Sequence, residues 1–113
     1  MPRNSFTYEA SSDGRVDVAQ GTAQALATSG TIPCTSDIVR ISPAAAVTGI
    51  IIQKGLFDGQ ELTVINIAAA ANSATMAAAG TSNVADGVGD AIAGVSARAF
   101  VWSAQDSLWY VEK

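Results

Sequence analysis

Histidine is absent from this chain of 113 residues, and cysteine occurs once. Without histidine there is no Ser-His-Asp triad, no Cys-His pair and no His-ligated metal. A single Cys34 excludes an intrachain disulfide and a cysteine-based metal site. Its setting, TIPCTSD, offers neither a neighbouring cation nor a helix N-terminus to activate a thiol. It reads as a small buried hydrophobe beside Pro33.

Charge is scarce as well. Charged residues make up 14% of the chain, against ~25% in an ordinary globular domain. The net charge is −4, and the six cations (Arg3, Arg15, Arg40, Lys54, Arg98, Lys113) are scattered singly. A nucleic-acid backbone needs clustered cations, so no nucleic-acid partner is expected. A small domain has a large surface to solvate. So little charge implies that part of this surface meets another chain.

The first residues hold no apolar run of the kind a secretory signal requires, which points to synthesis and assembly in the cytoplasm. Residues 62–85 carry no charge and could span a bilayer by length. Asn66, Asn72, Ser73, Thr75 and Asn83 load that window with polar groups, so no membrane segment is expected. GVGD (87–90) lacks the glycine-loop context that cradles phosphate. Asp86 and Asp90 could belong to a loose calcium loop, but the DxDxDG rhythm is missing and a solvated turn is the reading preferred. Asp58 and Glu61 are spaced as a conceivable glycosidase pair, though turn carboxylates are ordinary. No catalytic residue, metal, cofactor or enzymatic activity is expected.

What the chain does have is 49% hydrophobic residues, including 22 alanines, broken up by Gly, Asp and Asn turns. Runs rich in β-branched residues at 35–42, 47–54 and 61–68 are followed by strands centred on 97–102 and near the C-terminus. This punctuation indicates a sandwich or barrel. Asp58-Gly59 between two such runs is a hairpin signal. WSAQDSLWY reads as a second hairpin turning at Asp106-Ser107. Trp102 shares a face with Phe100, and its tryptophans are expected to fill the core; a sugar-stacking platform at Trp102, Trp109 and Tyr110 is the alternative.

INIAAAANSATMAAAG (65–80) is helical by alanine propensity. However, Asn72, Ser73 and Thr75 interrupt it and no charged cap bounds it. A turn at Asn72-Ser73 followed by a short strand antiparallel to 61–68 is preferred. In ELTVINI, Leu62 and Val64 share one face while Thr63, Ile65 and Ile67 share the other. In VTGIIIQ, Val47 and Ile51 are set against Ile50 and Ile52. Both faces are apolar, so a second sheet covers one and another subunit the other. The candidate interface residues are Ile50, Ile52, Ile65 and Ile67, with Ala69, Met76 and Ala78 of the alanine stretch. Residues 1–30 read as a polar arm with a possible short helix over 16–27, and 31–113 as the β module.

The run RISPAAAVTGIIIQKGLFDGQELTVINIAAAANSATMAAAGTSNVADG, followed by a strand ending in VW and a terminal LWYVEK, resembles small jelly-roll modules of tailed bacteriophages. The pattern is a strand into TGI, a GxxDGQxLTVxN hairpin, an ATMAAAGTSNVADG strand and loop, an aromatic strand and a W-Y strand. It covers roughly two-thirds of the chain. Such modules occur as trimeric capsid decoration (cement) proteins and as tips of tail spikes and fibres. The resemblance implies an all-β jelly-roll sandwich of about six to eight short antiparallel strands, assembled as a homotrimer. It implies a virion location on the capsid exterior, with the major capsid protein as partner. Arg3, Phe6, Tyr8 and Arg15 of the arm are then the candidate capsid contacts. A spike or fibre would place a repetitive shaft ahead of such a tip, so the short upstream stretch favours a decoration protein. A receptor- or carbohydrate-binding tip or adaptor is the alternative.

Overall fold

The computed structural model describes residues 23–112. Among them are seven strands: β1 (Thr31–Ile32), β2 (Ile38–Ile41), β3 (Val47–Ile52), β4 (Glu61–Asn66), β5 (Ala74–Met76), β6 (Ser96–Ser103) and β7 (Leu108–Val111). They form a three-stranded sheet of order β1-β3-β5 and a four-stranded sheet of order β2-β4-β6-β7. The all-β, two-sheet expectation therefore holds. The jelly-roll strand pattern does not carry through, because much of the pairing is parallel. β1 and β3 pair in parallel, as do β3 and β5, and β2 and β4. Only β4-β6 and β6-β7 are antiparallel.

From β1 to β5 the chain visits the two sheets in turn, and each return runs in the same direction as the last. The result is a short winding closed off by the β6-β7 hairpin. Asp58-Gly59 does form a tight turn, with Gly59 at φ 84°. Yet β3 and β4, which it joins, lie in different sheets, so it is a corner between sheets and not a hairpin. Turn chemistry specifies a local reversal of the backbone; it does not specify which strand the outgoing segment pairs with.

The core lies between the sheets. On β4 the alternation is as expected: Leu62 and Val64 are buried, and Thr63 and Ile65 face outward. On β3 it is broken. Gly49 takes φ 69° and the register slips between Val47 and Ile50. A bulge of this kind adds one residue and resets the side-chain phase. Val47, Ile50 and Ile52 consequently all point into the core, where Ile32, Ile41, Met76, Phe100, Trp102 and Trp109 join them. Trp102 and Trp109 face each other across the β6-β7 ladder, their ring centroids 5.2 Å apart. The Trp109 indole N–H donates to the Gln53 carbonyl at 2.8 Å.

Residues 23–30 join the module. Gln24 bridges in parallel to Ile41, and Leu26 is buried. No helix occurs over 23–27; the rest of the 16–27 expectation lies outside the described residues. The alanine stretch is a strand at Ala74–Met76, but it pairs in parallel with β3 rather than antiparallel to β4. One helical turn follows, α1 (Ala79–Ser82), ended by Asn83 at φ 66°.

Asn66 explains why the alanines before β5 do not coil. Fully buried, it donates from Nδ2 to the carbonyls of Asn72 (2.9 Å) and Ile92 (3.2 Å), and its Oδ1 accepts the Ala68 N–H at 3.0 Å. Asn72 in turn donates to the Pro43 carbonyl at 3.1 Å. These bonds fix residues 68–72 as a turn, and they outweigh a propensity worth only tenths of a kcal/mol per residue. Replacing Asn66 with the similarly sized leucine strands the Ala68 N–H and the Asn72 carbonyl at about 1–3 kcal/mol each before relaxation, while the Ile92 carbonyl keeps the Ala74 N–H at 2.9 Å. We expect Asn66→Leu to lower unfolding free energy by about 2–4 kcal/mol in urea titrations; a loss within error of zero would show that the turn stands without it.

Candidate interaction surfaces

Residues opposite one another in a ladder share a face, so the registers define the outer side of the four-stranded sheet. One row is Arg40, Ile65 and Ala97; the next is Ile38, Thr63 and Ala99; the third is Glu61, Val101 and Tyr110. Arg40 and Glu61 are the charged members of these nine. At the end of the face, Ile67 and Val95 are 53% and 72% exposed. With Ile65, Ser96 and Ala97 they border a hollow of about 440 Å³. Val95 sits at φ 55°, a left-handed conformation that is an outlier for a β-branched side chain. Val95 lies in the turn at 94–95 that leads into β6.

A second apolar surface lies at the other end of β4. Leu56 and Phe57, in the corner before that strand, are 68% and 62% exposed. They border a groove of about 470 Å³ whose opposite bank is formed by residues 34–38.

The expected interface residues divide accordingly. Ile50, Ile52 and Met76 are wholly buried inside one chain and leave nothing for a partner to touch. The cause is the Gly49 bulge for the first two and parallel pairing of β5 with β3 for the third. Ile65 is half-buried on the outer face, and Ile67, Ala69 and Ala78 are exposed. Arg3, Phe6, Tyr8 and Arg15 lie outside the described residues. Ile38, Leu56, Phe57 and Val95 escaped the sequence reading. Leu56-Phe57 did carry a signal, since two large apolar residues inside a GLFDGQ turn run against the polar habit of turns.

Asp58 and Asp90 have structural roles. Asp58 Oδ1 accepts the Ala104 N–H at 2.9 Å. Asp90 is buried and meets the Arg98 guanidinium at 3.3 Å, so the solvated-turn reading holds for Asp86 but not for Asp90. Among the described residues, no three His, Cys, Asp or Glu side chains are grouped to hold a metal, and no helix is long and apolar enough to cross a membrane. Both indoles are buried, which removes the sugar-stacking platform and leaves Tyr110 alone.

Cys34 is buried, its thiol donating to the Lys54 carbonyl at 3.1 Å, and burial pushes its pKa up. A raised pKa leaves less thiolate to react. We expect a chromogenic disulfide reagent to modify the native chain at least about a hundredfold more slowly than the urea-unfolded chain.

At the hairpin tip, the Ser103 and Tyr110 hydroxyls donate to Asp106. They hold its carboxyl below the usual range, and the same carboxylate pushes the Tyr110 phenol up. The Asp106 contribution to stability is present above the ordinary carboxylate pKa and lost as pH falls through the lowered folded value. That of Tyr110 is present below the ordinary phenol pKa and lost as pH rises through the raised one. In a Tyr8→Phe background Tyr110 is the one phenol left. Adding Asp106→Ala should then move the ultraviolet phenol titration to lower pH; an unchanged curve would deny the coupling.

Comparison with known proteins finds no matching family model, no similar curated protein and no similar solved structure.

Proposed function

We propose that this chain is a structural virion protein of a tailed bacteriophage, a decoration protein that binds the outside of the head as a homotrimer and braces the shell. One observation supports self-association above the others: the outer face of the four-stranded sheet is largely uncharged and ends in exposed Ile67 and strained, exposed Val95. An interface would give both the apolar exposure and the backbone strain a purpose. The virion reading rests on the GxxDGQxLTVxN and ATMAAAGTSNVADG resemblance, which at the level of fold extends to two packed sheets.

Size limits how the face can be used. Four strands ~4.8 Å apart and about five residues long present on the order of 300 Å². A standard interface buries ~800 Å² per partner. The flat sheet is therefore too small by itself, and the loops carrying Ile67 and Val95 have to contribute. Stapling of the shell then works by multiplicity. A trimer engages neighbouring capsomers together, and once one contact forms the others become intramolecular, so weak contacts add up to firm attachment. The major capsid protein is the partner in this scheme.

Native mass spectrometry of the full chain should show a trimer. The double variant Ile67→Asp, Val95→Asp should be a monomer with an unchanged far-ultraviolet spectrum. The trimer should cosediment with DNA-emptied heads of the phage that encodes it, and should delay their rupture on heating. A monomeric parent chain would remove the basis for the interface, and a trimer that ignores the heads would count against decoration.

A further inference from the structure

We propose that the groove between residues 34–38 and residues 56–63 is a binding site for an extended protein segment presenting an arginine or lysine beside a large apolar side chain. Two features of the groove specify that chemistry. Its apolar contribution is Leu56, Phe57 and Ile38, each well exposed. Its charge is of one sign: Asp37 stands on one bank and Glu61 on the other, and no cation lines it. An apolar groove with an acidic rim selects an occupant that pairs hydrophobic bulk with positive charge, and disfavours anionic lipid headgroups or phosphates.

The exposed side chains are also held in place. Gly55 lies against the Trp102 indole so closely that a Cβ there would sit 2.2 Å from Cγ. Gln60, buried, accepts the Leu56 N–H through Oε1 at 2.5 Å and donates through Nε2 to the Cys34 carbonyl at 2.9 Å, tying the two banks together. The Gly59 N–H donates to the Trp102 carbonyl and the Trp102 N–H to the Gln60 carbonyl, at 2.9 and 2.8 Å. These contacts anchor the backbone on both sides of Leu56 and Phe57. Binding to a groove already ordered costs little conformational entropy. The inference does not depend on the virion reading, since the groove is complete in one chain. It lies at the opposite end of β4 from Ile67 and Val95 and shares Ile38, Glu61 and Thr63 with the outer sheet face.

The test uses the full chain, isotopically labelled, titrated with Ac-Gly-Arg-Phe-Leu-Arg-Gly-NH2 and, as the contrast, Ac-Gly-Glu-Phe-Leu-Glu-Gly-NH2. The basic peptide should shift the amide resonances of Asp37, Ile38, Phe57 and Glu61 with a dissociation constant in the millimolar range, and the acidic peptide should not. In the double variant Asp37→Lys, Glu61→Lys the preference should invert, each peptide's affinity changing about tenfold. Phe57→Ser should weaken the basic peptide while keeping the spectrum of the fold. Equal response to both peptides, shifts centred elsewhere, or no inversion in the charge-reversed variant would overturn the proposal.

Discussion

Winding between two sheets imposes one demand on everything else: the backbone must leave one sheet and enter the other without stranding its polar groups. A hairpin satisfies its turn within its own ladder, but a crossing segment has no ladder. Here side-chain amides do that work at successive corners. Gln24 donates to Thr31, Gln53 accepts from Cys34, Gln60 bridges Leu56 and Cys34, Asn66 binds Ala68, Asn72 and Ile92, and Asn83 donates to Ile52. An amide carries donors and an acceptor in one short planar group, so one side chain can answer the N–H of one segment and the carbonyl of another, which a carboxylate, an acceptor only, cannot do. The corners owe their rigidity to these bonds.

That rigidity bears on what the surface can do. With the corners fixed, apolar residues that project from them stay projected. They gather at the two ends of β4: Leu56 and Phe57 before it, Ile67 after it. Six strand residues separate the ends, about 20 Å. The loops at the two ends can therefore be contacted separately. Ile38, Glu61 and Thr63, however, belong both to the outer sheet face and to the groove, so copies packed over that part of the face would exclude a segment from the groove. In a homotrimer that left Ile38, Glu61 and Thr63 uncovered, the groove would be presented three times, and weak individual contacts would gain from repetition. Both surfaces rest on the same strand, so altering its register would displace both.

Much of this protein was legible along the chain. The inward Leu62 and Val64 of β4, the buried Cys34, and the hairpin that sets Trp102 opposite Trp109 all follow from period-two alternation and turn chemistry. Those signals act over a few residues, so neighbouring residues suffice to define them. The sequence by itself determined six of the seven strands described, all but β1, together with the β6-β7 hairpin and much of the core. Tertiary structure decided which sheet each strand joins. Parallel partners such as Thr31 and Ile51, or Val47 and Ala74, lie far apart in the chain, and no local pattern encodes their pairing. It also decided that Gly49 would turn Ile50 and Ile52 inward as part of a bulge, and that GLFDGQ would be a corner with two apolar side chains exposed. A glycine permits a positive φ without requiring one; what required it was the parallel neighbour that β3 had to meet.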